Sequence, residues 1–473
     1  MSRPVIVVGA GPVGLLLAGE LRLGGADVLV LERAPRPSGE SRGLGFTARA
    51  AEVFAQRGLL RRFGDVETSP QGHFGGIPMD YSVLEGSHFG VRGIPQDRTE
   101  RLLERWAVEL GARVLRGHEV VGLHQDADGV VAAVAGPDGR VEFEGSHLVA
   151  ADGGRSTVRG LAGFDFPGTP ASREMYLADV VGRGIKPRFI GERVPGGMVM
   201  SAPLGGGVDR IIVCERGTPH RERRTAPGWS EVADAWQRLT GESLHDAEVR
   251  WVSAFTDATR QVTEYRRGRV LIAGDAAHTH LPAGGQGLSL GVQDAANLGW
   301  KLAAVVRGWA PPDLLDTYHA ERHPVGARVL RNTRAQGHLY LSGEEVEPLR
   351  SVVAELIEIP EVGRHLSGMV SGLDVRYDVG PGDHPLLGRR LPGADLPTAR
   401  GLATGVPAGA VAGWADRVDH RPGGPPLLVR PDGYVAWAGD GAADGLDTAL
   451  RRWFGAPAPT PAAAPTETER QPA

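Results

Sequence analysis

Residues 5–33 read VIVVGAGPVGLLLAGELRLGGADVLVLER. Val5 to Val8 form a β-branched run without polar alternation, the pattern of a strand buried on both faces. Glycines follow at 9, 11 and 14, and VGLLLAGELRL then has helical character, stopping at Gly24-Gly25. DVLVLE is a second strand, ending on Glu32. The order is strand, tight turn, helix, strand. Glycines in that turn let backbone approach a pyrophosphate, and the helix N-terminus faces its negative charge. An acid at the end of the second strand accepts hydrogen bonds from an adenosine ribose. The segment therefore predicts a dinucleotide site in an α/β fold.

Two further stretches repeat the theme of a strand running into glycine. LVAADGGRSTVR (148–159) carries Asp152-Gly153-Gly154-Arg155. RVLIAGDAAHTHLPAGGQGLSLGVQDAANLGWKLA (269–303) ends its apolar run, Val270 to Ala273, in Gly274 and a buried-looking Asp275. Gly284, Gly285 and Gly287 then precede a helical pattern, an arrangement that presents backbone N–H groups to something polar. Between these stations, QGHFGGIPMDYSVLEGSHFGVRGIPQ (71–96) is glycine-rich and irregular, and residues 171–264 are β-rich and then mixed. After Ala303 the pattern is largely helical to about residue 380. Two short strands then meet at Pro431-Asp432-Gly433.

At 473 residues the chain is too long for one ordinary core, and its length suggests about three domains. It is 41% hydrophobic and 23% charged, with net charge −5. That composition describes a soluble globular protein and gives no electrostatic signature for nucleic acid or an anionic membrane. Lys186 and Lys301 are the only lysines among 52 basic residues, a bias read as genomic. Cys214 is the only cysteine, which excludes an intramolecular disulfide and fits a reducing cytoplasm. The N-terminus lacks a signal-peptide pattern, and no run approaches the ~18 apolar residues of a membrane helix.

Taken in order, the three stations resemble the flavin-dependent aromatic hydroxylases of the p-hydroxybenzoate hydroxylase fold. GESRGLGFTARAAEVFAQRGLL, VETSPQGHFGGIPMDY, WVSAFTDATRQVTEYRRGRV and LLDTYHAERHPVGARVLRNTRAQG are most similar to the angucycline hydroxylases of aromatic polyketide pathways. The resemblance covers nearly the whole chain. It implies a discontinuous Rossmann-like FAD-binding domain over 1–70, 97–170 and 265–345. An interleaved β-sheet substrate domain would span 71–96 and 171–264, with a helical linker over 346–383. A thioredoxin-like domain without a cysteine pair would follow at 384–455, matched by LLVRPDGYVAWAGD, and a disordered tail at 456–473.

The same resemblance implies cofactor contacts. The first station would supply Gly9, Gly11, Pro12, Val13, Gly14, Glu32 and Arg33. Arg42, Gln96 and Val120 would line the site between stations. The second would give Asp152, Gly153, Arg155 and Thr157, Asp152 and Arg155 matching a motif implicated in both FAD and NADPH contact. The third would give Gly274, Asp275, Pro282, Gly285, Gly287, Leu288 and Ser289. Asp275 would meet the ribityl chain, and the N–H groups of residues 287–289 the pyrimidine end of the flavin, where a helix N-terminus favours the anionic reduced ring. Ser289-Leu290 stands where the family commonly has Asn-Thr.

The implied reaction is hydroxylation of an angucycline-type, prejadomycin-like polyketide by NADPH, dioxygen and a flavin C4a-hydroperoxide, in antibiotic biosynthesis. It needs no protein nucleophile. His73, Phe74, Met79 and Tyr81 are the substrate candidates, and His73 is also a candidate to polarise a phenol. Against this stand an ordinary satisfied histidine and core packing. Arg216 and His220 read as a solvated loop, Cys214 as a small buried hydrophobe, and His278 and His280 as no metal site. The alternatives are a rifamycin-inactivating monooxygenase, a Baeyer–Villiger oxygenase on the same scaffold, and, from another class, a non-catalytic flavin-binding protein. The expected setting is cytoplasmic, with a homodimer as one option.

Overall fold

Val5–Val8 forms the heart of a six-stranded sheet in the order Arg266–Arg267, Val270–Ile272, His147–Ala150, Val5–Val8, Val28–Glu32 and Arg113–Arg116. The last five strands are parallel, and Arg266–Arg267 closes one edge as an antiparallel hairpin. The computed structural model describes residues 3–66, 68–84, 90–223, 225–439 and 443–458. The tail expected from 456 lies outside the described residues from 459 onward. Val5, Ile6 and Val7 are fully buried, as a strand covered on both faces requires. Helices Pro12–Leu23 and Gln286–Val306 pack against each other over this core, and Trp106 of helix Gln96–Glu109 lies against Gly19. The fold is mixed α/β, with further sheets built onto the parallel one.

A three-stranded antiparallel meander, Glu119–Gln125, Val130–Gly136 and Gly139–Gly145, covers part of the central sheet region. The stretch from 174 to 256 forms a five-stranded antiparallel sheet, ordered Arg188–Val194, Gly197–Gly205, Val208–Glu215, Glu174–Val181 and Glu248–Thr256. Its two faces alternate along each strand. Tyr176, Ala178, Val180, Val199, Ile211 and Val213 pack under helix Trp229–Thr240 through Trp236. Met175, Met198 and Cys214 point the other way, toward Leu281, Ala283 and Tyr340.

Long helix Asp316–Leu341 leads to helices Glu347–Ile357 and Pro360–Ser371. The helical pattern expected to about residue 380 ends at Ser371. Gly372 takes the left-handed cap (φ +75°), and Val375, Tyr377 and Val379 leave the helix to pack with the C-terminal unit. That unit is a four-stranded sheet, Val418–Arg421, Gly401–Thr404, Leu427–Val429 and Val435–Ala438, closed by helix Leu446–Phe454. It is fastened to the rest by buried charge. Arg430 Nη2 donates to Glu321 Oε2 at 2.8 Å, Lys301 Nζ donates to the same oxygen at 2.9 Å, and Arg430 Nε reaches Asp432 Oδ1 at 3.0 Å. All four side chains are buried. Among the described residues no helix is long and apolar enough to cross a membrane.

Candidate functional site

The first glycine turn is fixed by close backbone packing. Gly9 has φ +106°, and a Cβ there would lie 2.4 Å from the Ala151 carbonyl oxygen. A Cβ on Gly14 would lie 2.0 Å from the Gly9 oxygen. Gly11 differs: among the described residues, its chain neighbours aside, nothing lies within 4 Å of its added Cβ. Two glycines are thus demanded by the chain's own packing, and the third borders open space. Pro12 starts the helix that points at this space. Glu32 is half-buried and braces the turn: Oε2 accepts from Ala10 N and Oε1 from Ala34 N, both at 2.8 Å. Arg33 beside it is exposed.

The three stations come together in space. Gly9 abuts Ala151 and Asp152, Val13 packs against Gly274, Gly154 faces Thr279, and Gly43 faces Leu288. Gln96 secures the Arg42 loop, its Oε1 accepting from Gly43 N at 3.2 Å and its own N–H donating to Gly43 O at 3.0 Å. Val120 is buried in the core. Asp152 turns back on its own loop, accepting from Ser156 Oγ at 2.5 Å and Thr157 N at 2.8 Å, and so braces the start of the helix Thr157–Leu161, which Ser156 caps. Gly153 takes φ +81° beside it. Arg155 and Arg42 are exposed and, among the described residues, have no ion-pair partner. They line a cleft of about 160 Å³ together with Glu174, His220 and Arg223. Arg223 is neutralised by Glu174 and Glu231.

Asp275 is not buried as its sequence context suggests. Strand Val270–Ile272 delivers it to the rim of an opening, where its side chain is exposed and accepts no hydrogen bond among the described residues. Surrounding protein nonetheless crowds the carboxyl and raises its pKa, while His278 and Arg42 pull the other way. An acceptor held in place but left without donors suits a ligand that brings hydroxyls. Pro282 and Gly285 are exposed along the same rim. Gly285, at φ +65°, caps helix Gln286–Val306, whose first N–H groups at Gln286, Gly287 and Leu288 have no intrahelical acceptors. The Ser289 hydroxyl is committed elsewhere, accepting from Thr47 N at 3.0 Å. The substitution of Ser for the usual Asn therefore leaves backbone groups, rather than a side chain, to face a ligand here.

The hairpin Gln71–Phe74 and Ile77–Asp80 turns most of its apolar side chains inward, the core-packing alternative. Phe74, Met79 and Tyr81, expected to meet substrate, are buried against Leu339, Val346, Ile357 and Val370. Only His73 stays half-buried, stacked on Tyr340 with ring centroids 5.7 Å apart, its Nδ1 accepting from Gly76 N at 3.2 Å. Burial lowers its pKa to about 4. Arg216 binds the carbonyls of Ser342 and Val194, which makes it a structural tie and not a solvated group. His220 is half-buried, its Nδ1 without a partner among the described residues. Burial pushes the Cys214 thiol up to about 11. His278 bonds Asp294, and His280 Nδ1 donates to Leu281 O.

Two features escaped sequence reasoning. On the sheet face toward Leu281 and Ala283, Met175, Met198 and Cys214, with Met200 and Phe255, form an apolar wall. At its end Arg210 grips Asp179 through two bonds of 2.7 and 2.8 Å, receives support from Trp251 Nε1 on that same carboxylate, and donates to Arg42 O at 3.3 Å. A charged residue recurring inside an alternating apolar strand was the available signal.

A glycine turn, a free carboxylate and a second helix N-terminus around one opening match the demands of FAD: pyrophosphate, ribityl hydroxyls and an electron-rich ring. Residues 2–333 match the FAD binding domain family, and residues 401–457 match the aromatic-ring hydroxylase C-terminal family. The chain belongs to the FAD-binding aromatic-ring hydroxylases. A structure of CabE, an aromatic hydroxylase from angucycline biosynthesis, is 60% identical, with TM-score 0.92, over 97% of this chain and 100% of that one. The 12-dehydrotetracycline 5-monooxygenase/anhydrotetracycline 6-monooxygenase of Streptomyces rimosus subsp. rimosus is 45% identical over 97% of this chain and 100% of its own. Rifampicin monooxygenase of Streptomyces venezuelae is 44% identical over 96% and 98%. Like other members of the family, the chain is an FAD-dependent monooxygenase.

Proposed function

We propose that this monooxygenase hydroxylates a polycyclic aromatic polyketide of the angucycline type, consuming NADPH and dioxygen. The observation that carries this reading is the 60% identity to an angucycline hydroxylase across nearly the whole chain, against 45% and 44% for the tetracycline and rifampicin enzymes. The first station would hold the adenosine and pyrophosphate of FAD through Glu32, the Gly11 opening and the helix that starts at Pro12. Asp275 would accept from the ribityl hydroxyls. The N–H groups of Gly287 to Ser289 would face the pyrimidine edge and favour negative charge there. Bound FAD would supply hydride acceptance and oxygen activation, chemistry that no amino-acid side chain provides.

The chain's own contribution is position and dryness. The partly buried Met200 and Phe255, backed by Met175 and Met198, would give a flat ring system polarisable contacts and help keep water out. Arg42 and Arg155, which form no ion pair among the described residues, suit the phosphates of a nicotinamide reductant that approaches beside the flavin. The residues 71–96 and 171–264 would then form the substrate side and residues 1–70, 97–170 and 265–345 the cofactor side. The test is mass spectrometry of products formed from a prejadomycin-type substrate with NADPH under ¹⁸O-labelled dioxygen. One labelled oxygen on the tetracycle supports the assignment. Labelled product from a rifamycin alone would favour the antibiotic-inactivating reading, and NADPH use that no aromatic compound accelerates would favour a flavin carrier.

A further inference from the structure

Asp294 takes no part in the contacts assigned to FAD, yet it is a fully buried carboxylate in the third turn of helix Gln286–Val306. Its Oδ2 accepts from the backbone N–H of Gly274 at 3.1 Å and from His278 Nε2 at 2.8 Å. Its Oδ1 accepts from Arg322 Nε at 2.8 Å. Gly274 immediately precedes Asp275, and His278 follows it by three residues. One carboxylate thus holds both ends of the turn that carries Asp275.

The helix also touches that turn directly, since a Cβ on Gly291 would come within 3.3 Å of the Gly274 Cα and 2.5 Å of Val13 Cγ2. Arg322 has its own supports: Nη1 donates to the Tyr377 hydroxyl at 2.9 Å and Nη2 to Leu290 O at 3.2 Å. Burial by itself would raise the Asp294 pKa, but Arg322 and His278 outweigh it and hold the carboxyl below its ordinary value. The group is therefore an anion, able to accept from three donors at once. An asparagine has a single acceptor oxygen and can serve the Gly274 and His278 side or Arg322, not both.

We propose that Asp294 is a positioning residue for the flavin, setting the backbone of the Gly274–His278 turn so that the Asp275 carboxylate meets the ribityl hydroxyls. The inference rests on Asp275 being that acceptor. The turn's other neighbour, Val13, belongs to the first station, but the adenosine half of FAD is bound there without Asp275. ADP and FAD therefore separate the two halves of the site.

The experiment titrates apo-protein of the full chain, wild type and Asp294→Asn, with FAD and separately with ADP. The expected result is FAD affinity weakened about 30-fold and ADP affinity within about 2-fold of wild type. Unchanged FAD affinity, or equal losses for FAD and ADP, would overturn the proposal, because the second pattern marks a general loss of structure. If Asp294→Asn does not fold, Arg322→Lys, which keeps the charge but not the guanidinium geometry, is read by the same two titrations. Asp275→Ala distinguishes the parent reading. Retained FAD in Asp275→Ala defeats the ribityl assignment itself, whereas loss in Asp275→Ala with none in Asp294→Asn defeats only the positioning role.

Discussion

The glycine stations and the 71–80 hairpin both drew functional expectations, and the structure treats them oppositely. At the stations the useful groups are backbone N–H donors and one carboxylate aimed into open space. In the hairpin the aromatic and thioether side chains turn inward and fill a core with helices from 316 to 371. Backbone sites restrict residue type harshly, because only glycine tolerates a positive φ pressed against another segment's carbonyl. Apolar pocket walls restrict it weakly, so a Met or Phe in the sequence does not say which side it faces.

The largest effect that tests this contrast comes from the glycines. Gly9→Ala forces a Cβ to 2.4 Å from a backbone oxygen at an unfavourable φ, and should cost about 3 kcal/mol of stability, read by urea denaturation of the apo-protein, with FAD lost. Gly11→Ala should leave apo-protein stability within about 0.5 kcal/mol while FAD affinity falls. Equal destabilisation by both would erase the distinction between packing and ligand glycines.

Next in size, Tyr81→Ala and Met79→Ala should each destabilise by roughly 3 kcal/mol with FAD affinity retained. Little loss of stability but lost turnover would return those side chains to the substrate site. Asp275→Ala should give nearly colourless protein, with FAD weakened about 10- to 100-fold and folding intact, measured by absorbance after gel filtration.

Acid sharpens a different boundary. Burial would raise the Glu321 pKa, but Arg430 and Lys301 hold it well below the ordinary value. A depressed folded pKa means the stabilisation is complete above the unfolded value of about 4.3 and is lost as pH falls below it. Denaturation midpoints should therefore drop between about pH 5 and 2, and Glu321→Gln, weaker at neutral pH, should lose less across that range. The smallest effect is expected at His73. With its pKa near 4 the ring is neutral at pH 7, so His73→Gln should change kcat less than about 3-fold. A rate limb near pH 6.5 that vanishes in this variant would restore it as a proton donor.

The Val5–Glu32 unit was legible because buried parallel strands, a forced turn and a helix leave a joint signature in 30 residues. Helix Gln96–Glu109 and the strands meeting at Pro431–Gly433 were legible for similarly local reasons. The end of the helical stretch at Ser371 was not, because Val375 and Tyr377 find partners in a unit some sixty residues further on. The openness of Asp275 was misread for a related reason: an apolar strand before it says nothing of whether the space beyond is filled. Asp294, Arg210 and Asp179 stayed invisible because their partners are distant in the chain, and a lone charge in an apolar pattern does not name its counter-ion.

The Arg430–Glu321–Lys301 cluster has an implication for swapping modules between relatives. Any chimera that replaces residues after about 400 inherits a carboxylate and an ammonium already sealed inside the host half, and a donor sequence lacking the guanidinium at position 430 leaves the Glu321 Oε1 without the donor it has here. Compatibility of the two pieces is then tested in the interior, at position 430 and at the Asp432 contacts of Arg49 and Asn297, before surface fit or linker length enters.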